Sequence, residues 1–193
     1  MKASTLLLGL IPWVLFSMIA DRVGTGAVGF AALAACLGSL VLAVRGAVGD
    51  GLKLIDAAGV VTFGALAAVG LTSGHHVQQW LVDYGRGGAA LLLAAVMLVS
   101  AFTVPFTEQY ARAGIDRRYW GSPAFRAVNR RISLLWAGVL FVMALCHLLA
   151  GALGSGTLLL NWVVPVLVVL AGLKRTEAIA NANGVGHRAE VRS

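Results

Sequence analysis

The sequence predicts an all-α membrane protein, a bundle of about six transmembrane helices with both termini in the cytoplasm. Hydrophobic residues make up 59% and charged residues 12% of the 193 residues, and the mean hydropathy is +0.87. A chain this apolar cannot cover its surface with polar groups in water. Its length accommodates about six spans of about 20 residues joined by short loops, and it leaves no room for a sizeable soluble domain.

Short polar segments separate six apolar runs. The first run contains Pro12 and follows Lys2, a pattern that also resembles a signal peptide. A transmembrane span is the better interpretation, because Met18 stands where a cleavage site needs a small residue. The predicted membrane domain covers residues 1–173, with spans at residues 4–20, 27–44, 56–71, 88–104, 132–153 and 157–173.

The polar segments have their own predicted roles. Trp80 and Tyr84 recur at helical spacing in residues 75–86, as in a short helix lying at the membrane interface with its rings at headgroup level. Residues 105–131 form a cytoplasmic amphipathic loop, whose second half continues directly into the fifth span. Residues 174–193 show no periodicity and are predicted to be a flexible cytoplasmic tail.

The distribution of basic residues predicts the orientation. With six spans and a cytoplasmic amino terminus, thirteen of the fifteen Lys and Arg residues lie on the cytoplasmic side, and only Arg22 and Arg86 lie outside. This asymmetry follows the positive-inside rule. It explains the net charge of +7 through orientation and anionic headgroups, so we expect no nucleic-acid partner.

The loop at 105–131 is the main candidate binding surface. It interleaves arginines with aromatic rings, a composition suited to anionic headgroups and common at protein interfaces. Two roles stay open for it: anchoring alone, or anchoring together with partner binding. The candidate residues are Phe106, Tyr110, Arg112, Arg117, Arg118, Tyr119, Trp120, Arg126, Arg130 and Arg131.

Ionisable residues are sparse elsewhere in the predicted spans. Asp56 stands at a helix amino terminus, and Glu108 is placed to pair with Arg112 on a helix surface. His147 falls within the fifth span, where an interhelical hydrogen bond is the favoured interpretation. A metal or haem site with His75 and the adjacent His76 is the alternative, but no ligand-spacing motif supports it, so no metal or cofactor is predicted.

No motif for a nucleophile, a phosphate-binding loop or paired catalytic carboxylates is present, so we do not expect an enzyme. Small residues four apart, such as Ala35 and Ser39, favour close helix packing. A small-solute channel or transporter is the alternative function. Polar residues within the spans are scattered and form no continuous polar face of the kind a transport path requires.

Three stretches resemble the intracellular septation protein A family, or a related family of small bacterial polytopic membrane proteins. They are GLIPWVLFSMIADRVGTGAVGFAA, HHVQQWLVDYG, and the loop with the span after it. The sequence departs from the family pattern where Gly121, Ser122 and Pro123 lengthen the loop, and where His147 replaces an expected Asn. The matching positions in the loop region are Phe106, Gln109, Trp120, Arg126, Asn129 and Trp136.

The resemblance implies an inner-membrane protein of the bacterial cell envelope with no known catalysis. It adds Gln109 and Asn129 to the candidate binding residues, and Trp136 to Trp80 and Tyr84 as interface anchors. We therefore expect a non-enzymatic accessory or scaffold protein in envelope synthesis or division. Its expected partners are anionic lipid headgroups, other envelope or division membrane proteins, and a second copy of the chain.

Overall fold

Helices form almost all of the chain that the structure describes. The computed structural model describes residues 3–20, 22, 24–49, 51–154 and 157–182. Within these ranges there are seven α-helices and no β-strand. The helices are α1 (Ala3–Ala20), α2 (Val28–Val48), α3 (Leu54–Thr72), α4 (His75–Phe102), α5 (Phe106–Ala111), α6 (Pro123–Leu153) and α7 (Val164–Ala182).

Four of these helices are long and apolar enough to cross a membrane: α2 with the short 3₁₀ turn before it, α3, α4 and α6. An apolar segment in α1, Leu8–Ala20, is shorter. The chain is therefore a multi-pass helical membrane protein. Six spans and two cytoplasmic termini stay predictions.

Helix α4 corrects the prediction of a separate interfacial helix at residues 75–86. The helix runs without a break from His75 to Phe102, so the predicted connection and the fourth span are one element. Gly87 does not interrupt it, because the missing side chain leaves space for Leu148 of α6: a Cβ built at Gly87 would lie 2.6 Å from its Cγ. The segment is thus part of the bundle.

Helix α6 shows the continuity that the sequence predicts between the loop and the fifth span. Ser122 caps its amino terminus, with the hydroxyl accepting a hydrogen bond from the Phe125 N–H at 3.2 Å. Pro123 follows at the first helical position, where its lack of an N–H costs nothing. Gly154 ends the helix with φ at +59°, a left-handed conformation that favours glycine.

The last helix differs from the prediction at both ends. A π-helical turn, Leu159–Val163, precedes α7. Its wider backbone lies just before Pro165, whose ring has no N–H and would clash with the Asn161 carbonyl in a regular α-helix. Helix α7 then continues to Ala182, so the predicted flexible tail begins inside a helix; residues 183–193 lie outside the described residues.

The bundle packs around two contacting helix pairs, α2 with α3 and α4 with α6. At the first crossing Gly29 faces Gly70: a Cβ built at Gly29 would lie 2.7 Å from the Gly70 carbonyl carbon. Ala35 and Ser39, predicted to favour close packing, are both buried in α2. Helix α5 packs on α6 and α4, and this docking positions the loop.

Candidate functional site

Helix α5, the short helix within the loop, is inserted into the bundle. Phe106 is 0% exposed and packs in the main hydrophobic core. Thr107, also fully buried, donates a hydrogen bond to the Asn129 carbonyl at 2.9 Å, and its hydroxyl lies 3.1 Å from the Ser133 hydroxyl. Both partners are on α6, so α5 is fixed to that helix by polar contacts as well as by packing.

Gln109 connects the loop to a second helix. Its side-chain carbonyl oxygen accepts a hydrogen bond from the backbone N–H of Leu54 at 2.9 Å. Leu54 is the first residue of α3, and the residue before it provides no side-chain cap. Gln109 therefore satisfies a free donor at the end of α3 from a distant part of the chain.

Replacing Gln109 with alanine is expected to lower the free energy of unfolding by about 0.5–2 kcal/mol, the usual cost of losing a helix cap. Gln79→Ala is the control, because among the described residues the Gln79 amide donates to Asp83 alone, one turn away on an exposed helix face. Thermal unfolding of both variants in the same detergent is the measurement. Equal midpoints for the two variants would contradict the capping role.

Glu108 corrects the prediction of a surface ion pair. The pair with Arg112 forms, with a Glu108 Oε2 to Arg112 Nη2 distance of 3.3 Å, but the Glu108 side chain is only 2% exposed. Its Oε1 is buried without a hydrogen-bond partner in the described part of the chain. Arg112 therefore compensates the negative charge of a buried carboxylate, so its guanidinium interacts with the interior of the fold as well as with the surface.

The exposed part of the loop carries a cluster that we term the basic platform: Arg112, Arg117, Arg118, Tyr119 and Trp120. The guanidinium carbons of Arg112 and Arg117 lie 5.2 and 5.6 Å from the Trp120 ring centroid, and that of Arg118 lies 4.8 Å from the Tyr119 ring centroid. These distances are typical of cation–π contacts.

Backbone contacts hold the basic platform in shape. The Trp120 indole N–H donates to the Ile115 carbonyl at 3.0 Å, and Asp116 accepts from the Arg118 N–H at 3.1 Å. The platform is consequently organised before any partner binds, which reduces the ordering cost of binding.

The remaining predicted arginines lie on the first turns of α6. Arg126 and Arg130 line a shallow cleft of about 290 Å³ between α4 and α6, and the Arg130 guanidinium lies 4.7 Å from the Phe102 ring centroid. Arg131 is exposed beside them. Three of the six arginines thus belong to the platform and two to this cleft, while Arg131 belongs to neither.

Four predicted binding or anchor residues are buried, and this corrects their assignment. Phe106, Tyr110, Asn129 and Trp136 are each 3% exposed or less. Asn129 donates to the Phe125 carbonyl, and the Trp136 indole donates to Thr176 at 3.2 Å. They stabilise the bundle, because no partner or headgroup reaches a side chain enclosed by its own fold. Trp136 is therefore a core residue, not an interface anchor.

The Tyr110 phenol points into the fold beside Asp56. Burial raises the pKa of Tyr110, and the Asp56 carboxylate raises it further. The phenol therefore keeps its proton at physiological pH, and its oxygen can both donate and accept a hydrogen bond.

Trp80 and Tyr84 lie at the opposite end of the bundle from the loop. Their ring centroids are 5.5 Å apart, and Trp80 is 56% exposed. This placement suits the predicted role as interface anchors. His147 is buried, and its Nδ1 lies 2.9 Å from Oδ1 of Asn161, a hydrogen bond between α6 and the π-helical turn. Among the described residues, no three His, Cys, Asp or Glu side chains are grouped as metal ligands would be.

The burial of Asp56 and Glu108 was not predicted from the sequence. Asp56 is 4% exposed within the fold. One signal could have indicated the burial of α5: Phe106 and Tyr110 are one helical turn apart, as on a helix with an apolar face.

Comparisons with family models, with curated proteins and with solved structures find no match to this chain.

Proposed function

We propose that this protein is an integral inner-membrane protein of the bacterial cell envelope that acts as a non-enzymatic accessory or scaffold in envelope synthesis or division. One observation carries the proposal: the basic platform is exposed and ordered by its own contacts, beside a helix buried in the bundle. A loop needed only to connect two spans would not require so much internal structure.

The chemistry of the platform favours acidic partners. Trp and Arg are the residues most enriched at interface hot spots, and guanidinium groups bind carboxylates and phosphates in a bidentate manner. Within this proposal the partners are anionic headgroups and acidic surfaces of other envelope or division proteins. A second copy of the chain is also a proposed partner, but through small-residue helix faces, since the chain itself carries a net charge of +7.

Membership of the intracellular septation protein A family, or of a related family, is part of the proposal. Of the positions that carry the resemblance, Phe106, Asn129 and Trp136 are buried and Gln109 caps α3. Only Trp120 and Arg126 remain available for binding. The shared pattern is consistent with a common way of holding the loop in position.

In-cell photocrosslinking from the platform tests the proposal. A photoreactive amino acid replaces Tyr119, and the captured proteins are identified by mass spectrometry. The same probe at Phe30, which is 62% exposed on the apolar surface of α2, is the matched control. Repeated capture of the same wall-synthesis or division proteins from position 119 but not from position 30 is expected. Capture of lipid alone would contradict the scaffold and make solute flux, the channel or transporter alternative, the next assay.

Trp120→Ala is expected to reduce this crosslinking about tenfold or more, because loss of a hot-spot aromatic typically costs about 2 kcal/mol or more of binding. Trp120→Phe keeps a ring between Arg112 and Arg117 but loses the bond to Ile115, so an intermediate yield is expected. The expression level and the thermal unfolding midpoint of both variants should stay close to those of the unsubstituted protein. Full crosslinking in Trp120→Ala would exclude this side chain from the binding surface.

A further inference from the structure

A second site lies at the same end of the bundle as the loop, between α1, α2 and α3. A cleft of about 240 Å³ opens there. Six of the residues that line it are Gly9, Arg45, Gly46, Gly49, Lys53 and Asp56.

Two buried polar atoms beside Gly9 of the cleft lack hydrogen-bond partners in the described part of the chain. They are Oδ1 of Asp56, a residue 4% exposed, and the hydroxyl oxygen of Tyr110, a residue 3% exposed. Buried polar groups in native proteins nearly always have partners, because leaving them unsatisfied is costly. These two atoms therefore indicate something that binds there.

Both atoms lie beside Gly9, on the side where its side chain is missing. A Cβ built at Gly9 would lie 3.2 Å from the Asp56 Oδ1 and 3.3 Å from the Tyr110 hydroxyl oxygen. A side chain there would be crowded by both oxygens, and the Asp56 carboxylate, which also lines the cleft, is the acceptor that a donor group in the cleft meets. A primary ammonium fits well, since it has three N–H donors and a positive charge opposite the carboxylate.

The mouth of the cleft is positively charged, opposite in sign to the Asp56 carboxylate. Arg45 lies in the last turn of α2, and Lys53 precedes the first turn of α3. The Lys53 ammonium is 5.5 Å from the Tyr110 ring centroid, which holds it over the same phenol. In the ranges that the structure describes, neither cation forms an ion pair. A guanidinium and an ammonium at one opening favour an anion with several acceptor oxygens, such as a phosphate.

We propose that this cleft binds a small phosphate ester carrying a primary ammonium, with the ammonium on Asp56 and the phosphate between Arg45 and Lys53. Two sources provide this chemistry: the headgroup of a phosphatidylethanolamine lipid and free phosphoethanolamine. The site is independent of the basic platform and does not rest on the proposed scaffold function.

Binding to the purified full-length protein in detergent tests the site. The probes are short-chain phosphatidylethanolamine, phosphatidylcholine with the same acyl chains, and free phosphoethanolamine, each titrated calorimetrically. The choline headgroup keeps the phosphate but has no N–H donor. We expect the ethanolamine lipid to bind about tenfold or more tightly than the choline lipid, because hydrogen bonds to a charged group are lost. Equal binding of the two lipids, or no saturable binding of either ethanolamine probe, would overturn the proposal.

The two ethanolamine probes distinguish the source. Saturable binding of phosphoethanolamine at an affinity equal to that of the lipid supports the site with a free small molecule as its ligand. Binding of the lipid alone supports the site with a headgroup as its ligand.

Variants assign the contacts. Asp56→Asn is expected to weaken ethanolamine-lipid binding about tenfold and to leave choline-lipid binding unchanged, while Lys53→Gln weakens both. Gly9→Ala adds a methyl group beside the Asp56 and Tyr110 oxygens and should also abolish the preference for the ethanolamine lipid over the choline lipid. Gly64→Ala is the matched control, because its Cβ would make an ordinary 3.6 Å contact with Cys36. If the Asp56→Asn variant does not fold, the Gly9→Ala variant provides the test. An unchanged preference for the ethanolamine lipid over the choline lipid in folded Gly9→Ala protein would overturn the proposed site.

Discussion

Replacing Gly70 with leucine is expected to destabilise the bundle strongly. A Cβ built at Gly70 would lie 2.7 Å from the Gly29 Cα, and one built at Gly29 would lie 2.7 Å from the Gly70 carbonyl carbon. Both obstacles are backbone, so a side chain can be accommodated only if α2 and α3 separate. Overpacked sites typically cost about 1–3 kcal/mol and occasionally more, and we expect Gly70→Leu at the upper end of that range.

The measurement is the free energy of unfolding in mixed micelles titrated with a denaturing detergent. Gly138→Leu is the matched control, because apart from its own stretch of α6 no described residue has an atom within 4 Å of a Cβ built at Gly138. The control adds the same apolar side chain on an exposed helix face. Equal stability of the two variants would mean that α2 and α3 do not approach each other through Gly29 and Gly70.

Replacing Phe106 with alanine is expected to have an effect of similar or larger size. Phe106 is 0% exposed and packs in the core cluster that also contains Ile55, Leu93 and Trp136. Its loss leaves a cavity that joins α3, α4 and α6, and Phe→Ala changes in cores typically cost about 3–5 kcal/mol. Because Phe106 is the first residue of α5, the loop should also become less firmly attached.

Two measurements separate these effects. The midpoint of thermal unfolding should fall sharply for Phe106→Ala and little for Phe30→Ala, whose side chain is 62% exposed on α2. Limited trypsin digestion should cut after Arg117 and Arg118 faster in Phe106→Ala than in the control. Unchanged cleavage rates with a lowered melting point would mean that Phe106 stabilises the core without holding the loop in place.

Some of the fold follows directly from the sequence. The apolar runs predicted helices because backbone groups in a membrane must be satisfied within the segment. The start of α6 was readable from Ser122 and Pro123, and its end from Gly154, since each residue type suits its backbone position. The break expected between residues 86 and 88 was wrong, because Gly87 is tolerated inside a helix that packs closely on Leu148.

The sequence likewise identified only some residues of the candidate site. The exposed arginines with Tyr119 and Trp120 were identified from composition, because charge and aromatic content are local properties. Residues of α5 were misassigned to the surface. The spacing of Phe106 and Tyr110 could indicate one apolar face, but a helix of six residues is too short for periodicity to reveal that Thr107 and Glu108 are buried as well. The groups that hydrogen-bond to it come from α3 and α6.

The sequence by itself determined that this chain is a helical membrane protein and that its longest polar loop carries a basic, aromatic surface, because hydropathy and charge are sums over neighbouring residues. Only the tertiary structure decided that Glu108 and Tyr110 are buried, that Asp56 and Tyr110 meet beside Gly9, and that Asp56 shares a cleft with Arg45 and Lys53. The physical reason is that burial and hydrogen-bond satisfaction depend on contacts between helices far apart in the chain, and no local pattern encodes which helix faces meet.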